Sequence, residues 1–121
     1  MRIFCNDRLL ARQVTYAADH LELGRGLAGR KGLSEQEGLL MRLPAYQQGK
    51  ARLWVAIHML FVPVPLAVAW LDQEGRVVHA LLALPWGLYY TSPHPAWYTL
   101  ELHASRLPYL TAGALVRWEV E

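Results

Sequence analysis

One cysteine, Cys5, stands in the 121-residue sequence. An intrachain disulfide is therefore impossible, and no C-x-x-C redox or zinc motif exists. A lone thiol on an apolar first segment is expected to be buried and inert. Charge is scarce too: 18% of residues are charged and the net charge is +2. That field is too weak to imply a nucleic-acid partner. The segment from Arg25 to Arg52 is locally basic, with Arg30, Lys31, Arg42 and Lys50 against Glu35 and Glu37. A solvated face is the plainer account of it, and an anion-greeting patch the sharper one.

Residues 1–14, MRIFCNDRLLARQV, lack the apolar stretch and small-residue cleavage site of a signal peptide, so cytoplasmic residence is the expectation. No repeat, low-complexity tract or linker interrupts the chain, and residues 1–121 are expected to form a single domain. What the sequence has in quantity is apolar surface, 54% of its residues, enough for one core.

Residues 53–71, LWVAIHMLFVPVPLAVAWL, carry no formal charge and match the length of a membrane-crossing helix. Pro63 and Pro65 would break such a helix twice, and the density of Val, Ile, Phe and Trp suits strands. The expectation is two buried strands, 53–61 and 66–71, and no membrane.

The remaining punctuation also favours strands. Residues 2–5 and 9–16 form a hairpin around the turn at Asn6–Arg8. Asp19 and Glu22 stand in capping-box spacing ahead of Leu23 and Leu27, which predicts a helix closed by Gly29 and Gly32. Gly38–Leu43 is a short apolar strand. Asp72-Gln73-Glu74-Gly75 is a hairpin turn leading into a strand over 76–84. Residues 97–103 alternate, with Tyr98, Leu100 and Leu102 on one face and Trp97, Thr99, Glu101 and His103 on the other. Residues 105–110 suit one helical turn, Gly113 a bend, and residues 115–120 a closing strand. Seven to eight short strands with one or two short helices predict a compact, mostly β, barrel- or sandwich-like domain.

Several of these segments, in this order, resemble the family known as domain of unknown function 192. Arg25-Gly26-Leu27-Ala28-Gly29-Arg30 matches its arginine–glycine turn, and Gly38-Leu39-Leu40 its following strand. Residues 57–61, Ile-His-Met-Leu-Phe, with Pro65-Leu66 match its central run. Leu71-Asp72, Gly75-Arg76-Val77-Val78, Leu84-Pro85-Trp86, Leu100-Glu101-Leu102 and Gly113 follow in register. The chain departs from the pattern at Ala67 and Ala114, where the family usually carries aspartate. The resemblance implies a small barrel-like β fold and no particular activity.

Candidate functional residues are weighed against plainer roles. The histidines, among them His58, His79 and His103, show no ligand spacing that announces a metal, so neither metal nor cofactor is expected. His58, between Ile57 and Met59, is as readily a buried, hydrogen-bonded histidine as a site residue. Arg25 and Arg30 could satisfy helix-end carbonyls, pair with Glu101, or line a cleft and take an anionic group bidentately. Ser34 and Ser92 sit in no nucleophile elbow, no catalytic residue is assigned, and no phosphate loop exists. Trp86, Tyr89, Tyr90, Trp97 and Tyr98 crowd into thirteen residues between prolines. They serve either as a plug over one end of the core or as a stacking surface.

The leading expectation is a small binding or interaction domain. Its cleft would be lined by Arg25, Arg30, His58, Trp86 and Glu101 and rimmed by Tyr89, Tyr90 and Trp97, with a small anionic or sugar-like molecule, or a protein, as partner. One alternative is a hydrolase-like enzyme using His58 and Glu101 as a proton-transfer pair. The other is an oligomeric structural protein whose aromatic loop is an interface. A monomer or a small homo-oligomer suits all three.

Overall fold

The computed structural model describes residues 1–17, 32–59 and 62–120. The helix expected over 19–29, with Arg25 and Arg30, lies outside the described residues. Eight strands are described: β1 (Arg2–Cys5), β2 (Arg8–Ala11), β3 (Gln13–Ala17), β4 (Glu37–Arg42), β5 (Leu66–Leu71), β6 (Val77–Ala83), β7 (Tyr98–His103) and β8 (Val116–Glu119). Two 3-10 turns, Arg52–Val55 and Ala104–Tyr109, complete the regular structure among the described residues. The strands form two sheets, ordered β2-β1-β8 and β3-β4-β7-β5-β6. The architecture is a sandwich of a small and a larger sheet, and the sheets do not close into a barrel.

Local chemistry explains the turns. Asn6 and Asp7 both take positive φ, 49° and 67°, a left-handed pair that their short polar side chains tolerate and that a tight hairpin needs. Asn6 Oδ1 also accepts from the Leu115 N–H at 2.9 Å, tying this turn to the end of the chain. At the β5–β6 turn, Asp72 Oδ1 accepts from the N–H groups of Glu74 and Arg76. Gly75 has φ +90°, and a Cβ there would meet the Val116 carbonyl oxygen at 2.6 Å. Only glycine lets this turn touch the smaller sheet.

The strand expected over 9–16 is broken at Arg12. Its first part, β2, stays in the small sheet, and its second, β3, joins the large sheet parallel to β4. Arg12 and Gln13 both donate their N–H to the Gln36 carbonyl at this crossover.

The strand expected over 53–61 does not form. Residues 52–55 make a 3-10 turn, and only an isolated bridge, Ile57 to Tyr90, follows. Val55, Met59 and Val62 point into the fold while Leu53 and Trp54 are exposed. Inward residues spaced by four and three do not fit a pleat of period two. β5, expected correctly, is buried at all six positions and lies between β7 and β6.

Burial divides into two clusters, one on each face of the large sheet. The first packs the two sheets together and includes Ile3, Leu10, Leu40, Ala67, Ala69, Leu100, Leu102 and Val116. The second, on the other face, includes Leu39, Met41, Val55, Met59, Val62, Leu66, Val68 and Trp70. Each fully buried leucine contributes about 2 kcal/mol of apolar burial, so the large sheet, covered on both faces, is the stable frame on which side chains are held. No helix among the described residues is long and apolar enough to cross a membrane.

Candidate functional site

The alternation of β7 selects the site. Leu100 and Leu102 enter the cluster between the sheets, so the pleat turns Thr99, Glu101 and His103 to the opposite face. In register, Thr99 stands between Met41 and Trp70, and Glu101 between Leu39 and Val68. His103 is paired with Leu66. A line of three polar side chains thus runs down the middle of this face, flanked by the apolar Leu39, Met41, Leu66, Val68 and Trp70. Gly38 permits the close approach of β4 to β7: a Cβ there would meet Leu102 Cδ2 at 2.5 Å and the Glu101 carbonyl oxygen at 2.8 Å.

Glu101 is 6% exposed, and no hydrogen bond or ion pair to its carboxyl occurs among the described residues. Burial in this apolar surrounding disfavours the charged form and pushes its pKa up to about 7. Thr99 is fully buried, and its hydroxyl has no hydrogen-bond partner among the described residues. His103 is held by the scaffold instead. Its Nδ1 lies 2.8 Å from Ser105 Oγ and accepts the Ser105 N–H, capping the second 3-10 turn. Thr99 was not singled out from sequence. The signal that could have found it is the same two-residue alternation that places Glu101.

The other candidates gather elsewhere. The segment carrying His58 is locked to the aromatic loop by main-chain bonds: Ile57 and Tyr90 exchange two, Met59 N–H donates to Gly87, and Trp86 N–H donates to Met59. His58 is exposed. Trp86, with φ +63°, and Tyr89 are about half exposed. Tyr90 accepts the Leu84 N–H with its hydroxyl, and its ring lies against Gly87. Trp97 packs its ring on Gly49. His58, Trp86 and Tyr90 are therefore brought together, while Glu101 lies on β7 with β5 between it and the edge strand β6 that leads into the loop. Arg25 and Arg30 lie outside the described residues.

The Cys5 thiol is buried, near the Tyr109 carbonyl at 3.1 Å, and burial pushes its pKa up, away from the reactive thiolate. A depression of about 320 Å³ lies apart from all these candidates, lined by Asn6, Asp7, Arg76, Leu115 and Arg117. Arg117 is committed there to Glu119 and Asp7, and Arg76 to the Gly113 carbonyl. No group of three His, Cys, Asp or Glu side chains converges for a metal among the described residues.

The family model for domain of unknown function 192, described as uncharacterized ACR, matches residues 2–118. The chain belongs to this family. Among solved structures, the chain is similar to a protein of unknown function from Novosphingobium aromaticivorans DSM 12444, at 20% identity and a TM-score of 0.79, covering 97% of this chain and 84% of that one. It is also similar to a protein from Sinorhizobium meliloti 1021 described as a candidate transcription regulator, at 23% identity and a TM-score of 0.77, covering 96% and 91%. At these identities the likeness establishes the fold alone. No curated protein matches the sequence. Ala67 and Ala114, where the resemblance led to an expectation of aspartate, are both buried in the cluster between the sheets.

Proposed function

We propose that this domain binds a small, hydroxyl-rich, sugar-like ligand through Glu101 and Thr99, with exposed aromatics such as Trp86 and Tyr89 as an outer stacking surface. The observation that carries this is a fully buried Thr99 hydroxyl with no partner among the described residues, two residues from the buried Glu101 on the same strand face. Leaving such a hydroxyl without its bond costs about 1–3 kcal/mol, and a ligand that supplies the missing bond recovers that cost. A carboxyl with a pKa of about 7 can donate or accept toward a hydroxyl near neutrality. The anionic version of the ligand rests on Arg25 and Arg30 and is the weaker one. Cytoplasmic residence is part of the same proposal, supported by the free, buried Cys5.

The test is an NMR titration of the whole chain with methyl glucoside, and separately with inorganic phosphate. Shifts of the Thr99 and Glu101 amides with the glucoside, lost in Glu101→Leu, are expected. Shifts with phosphate alone would favour the anionic ligand, and no shift with either would sink the proposal.

A second function, acid–base catalysis by Glu101 acting without His58, which stands with the aromatic loop, is favoured by one observation. A carboxyl near pH 7 can take and return a proton at physiological pH. Hydrolysis of p-nitrophenyl acetate that Glu101→Gln abolishes would support it, and hydrolysis unchanged by that substitution would dismiss it.

A further inference from the structure

We infer that β6 is the interface of a symmetric homodimer, in which the free edge of the large sheet pairs antiparallel with β6 of a second copy. β6 is the outermost strand of that sheet among the described residues. Its seven residues, VVHALLA, include no lysine, arginine, carboxylate, proline or glycine. The other edges are guarded. On β3, Val14 exchanges two main-chain bonds with Met1. β2 opens with Arg8, and β8 carries Arg117 and Glu119. Charges, short strands and capping contacts are how sheet edges avoid joining other chains, and the middle of β6 has none of them.

The ends of β6 are satisfied while its centre is open. Val77 donates to Ala114 and accepts from Gly113. Beyond the strand, the Leu84 N–H points away from β5 to the Tyr90 hydroxyl at 3.0 Å. The ladder with β5 skips Val78, since Leu71 pairs with Val77 and Trp70 with His79, and that bulge resets the alternation. Counting back from Leu84 by twos, Leu82 and Ala80 direct their main-chain groups outward.

A two-fold axis at Leu81 then sets Ala80 of each copy opposite Leu82 of the other, forming two hydrogen-bonded pairs. Leu81 faces its own copy, and His79 faces Ala83. No carboxylate or guanidinium meets its like across the axis, so the strand is complementary to itself.

The apolar surface continues past the strand. Leu82 is 41% exposed, Leu84 55%, Trp86 53%, Leu88 73% and Tyr89 55%. Covering these side chains removes on the order of 500 Å² per copy beyond the strand, approaching the roughly 800 Å² per partner of a standard interface. A second copy brings both the strand and this apolar extension, whereas a short peptide brings only a strand.

The test is the mass of the full chain by light scattering across a range of concentrations, with hydrogen exchange read by NMR. A mass about twice 13.8 kDa is expected, with slow exchange at the Ala80 and Leu82 amides. Leu82→Lys puts a charge beside the axis, opposite Ala80 of the other copy, and Ala80→Pro removes an outward N–H. Each should give a monomer with an unchanged far-ultraviolet spectrum and fast exchange at Leu82 or its neighbours. Should Leu82→Lys fail to fold, Ala80→Pro and the exchange rates decide. A monomer at every concentration overturns the inference, as does a dimer indifferent to both substitutions or broken only by Tyr89→Ser. A monomer whose β6 amides slow only on adding an extended apolar peptide would assign the edge to a peptide and overturn it as well.

Discussion

The indole N–H of Trp70 donates to the Val55 carbonyl at 2.8 Å, joining the fully buried centre of the large sheet to the 3-10 turn that covers it. Fifteen residues apart in sequence, the two hold the segment at Val55 down on the sheet. Trp70 also meets the His79 ring at 5.9 Å between centroids, so the same side chain braces the edge strand.

Trp70→Phe keeps most of the apolar volume and removes the donor, leaving the Val55 carbonyl without it. A loss of about 1–3 kcal/mol is expected from that orphaned group. Trp70→Ala should cost more, about 3–5 kcal/mol, because a cavity is added. Urea unfolding followed by fluorescence of the remaining tryptophans and by circular dichroism checks both. Equal losses for the two variants would mean that the hydrogen bond contributes nothing.

Glu101 gives a pH dependence of definite sign. Its folded pKa is raised from the ordinary 4.5 to about 7 by burial, so the folded chain holds a proton that the unfolded chain releases. Between pH 4.5 and 7 the unfolded state binds fewer protons, and stability falls as pH rises through that window. The full effect is on the order of 3 kcal/mol, complete above pH 7 and absent below 4.5. Glu101→Gln, which keeps the shape without the charge, should flatten the curve and be the more stable protein at pH 8. Chemical denaturation at a series of pH values measures it, and an upward slope in the wild type would contradict the assignment.

Much of this arrangement was legible in the sequence for one reason: strands with one face inward write their period into the residues. The alternation over 97–103 separated Glu101 from Leu100 and Leu102, and the Asp72–Gly75 turn marked the β5–β6 hairpin. Residues 53–61 misled because an apolar run records burial, not conformation. There the inward positions Val55, Met59 and Val62 obey the spacing of an irregular covering segment. The parallel pairing of β3 with β4 was hidden, since nothing at Arg12 announces a change of sheet. At the site, Glu101 was legible and Thr99 was not. A threonine in a strand is ordinarily unremarkable, and only its unpaired, fully buried hydroxyl distinguishes it.

Ala67→Asp would place the aspartate expected from the family resemblance at a position that is fully buried between the sheets, in register with Leu82 and Leu102. An unpaired carboxyl there either ionises at a large desolvation cost or stays protonated with a strongly raised pKa. Loss of several kcal/mol, or of folding altogether, is expected near neutral pH and should be partly relieved in acid. Thermal unfolding at pH 4 and pH 8 separates the outcomes. An Ala67→Asp chain as stable as the wild type at pH 8 would mean that the core holds a partner for the aspartate.

Gly38→Ala tests whether the β4–β7 contact positions Glu101. The added methyl meets Leu102 Cδ2 at 2.5 Å and the Glu101 carbonyl oxygen at 2.8 Å. Leu102 is fully buried and the second obstacle is backbone, so the strands must move apart locally. A cost of about 1–3 kcal/mol is expected, together with water entering beside Glu101 and its pKa falling back toward 4.5. Titration of the Glu101 carboxyl by carbon-13 NMR in wild type and variant reads this directly. A destabilised variant whose Glu101 still titrates near 7 would show that the apolar face, not the closeness of β4, holds the carboxyl neutral. That outcome would move the origin of the shift to Leu39 and Val68, the residues that flank it.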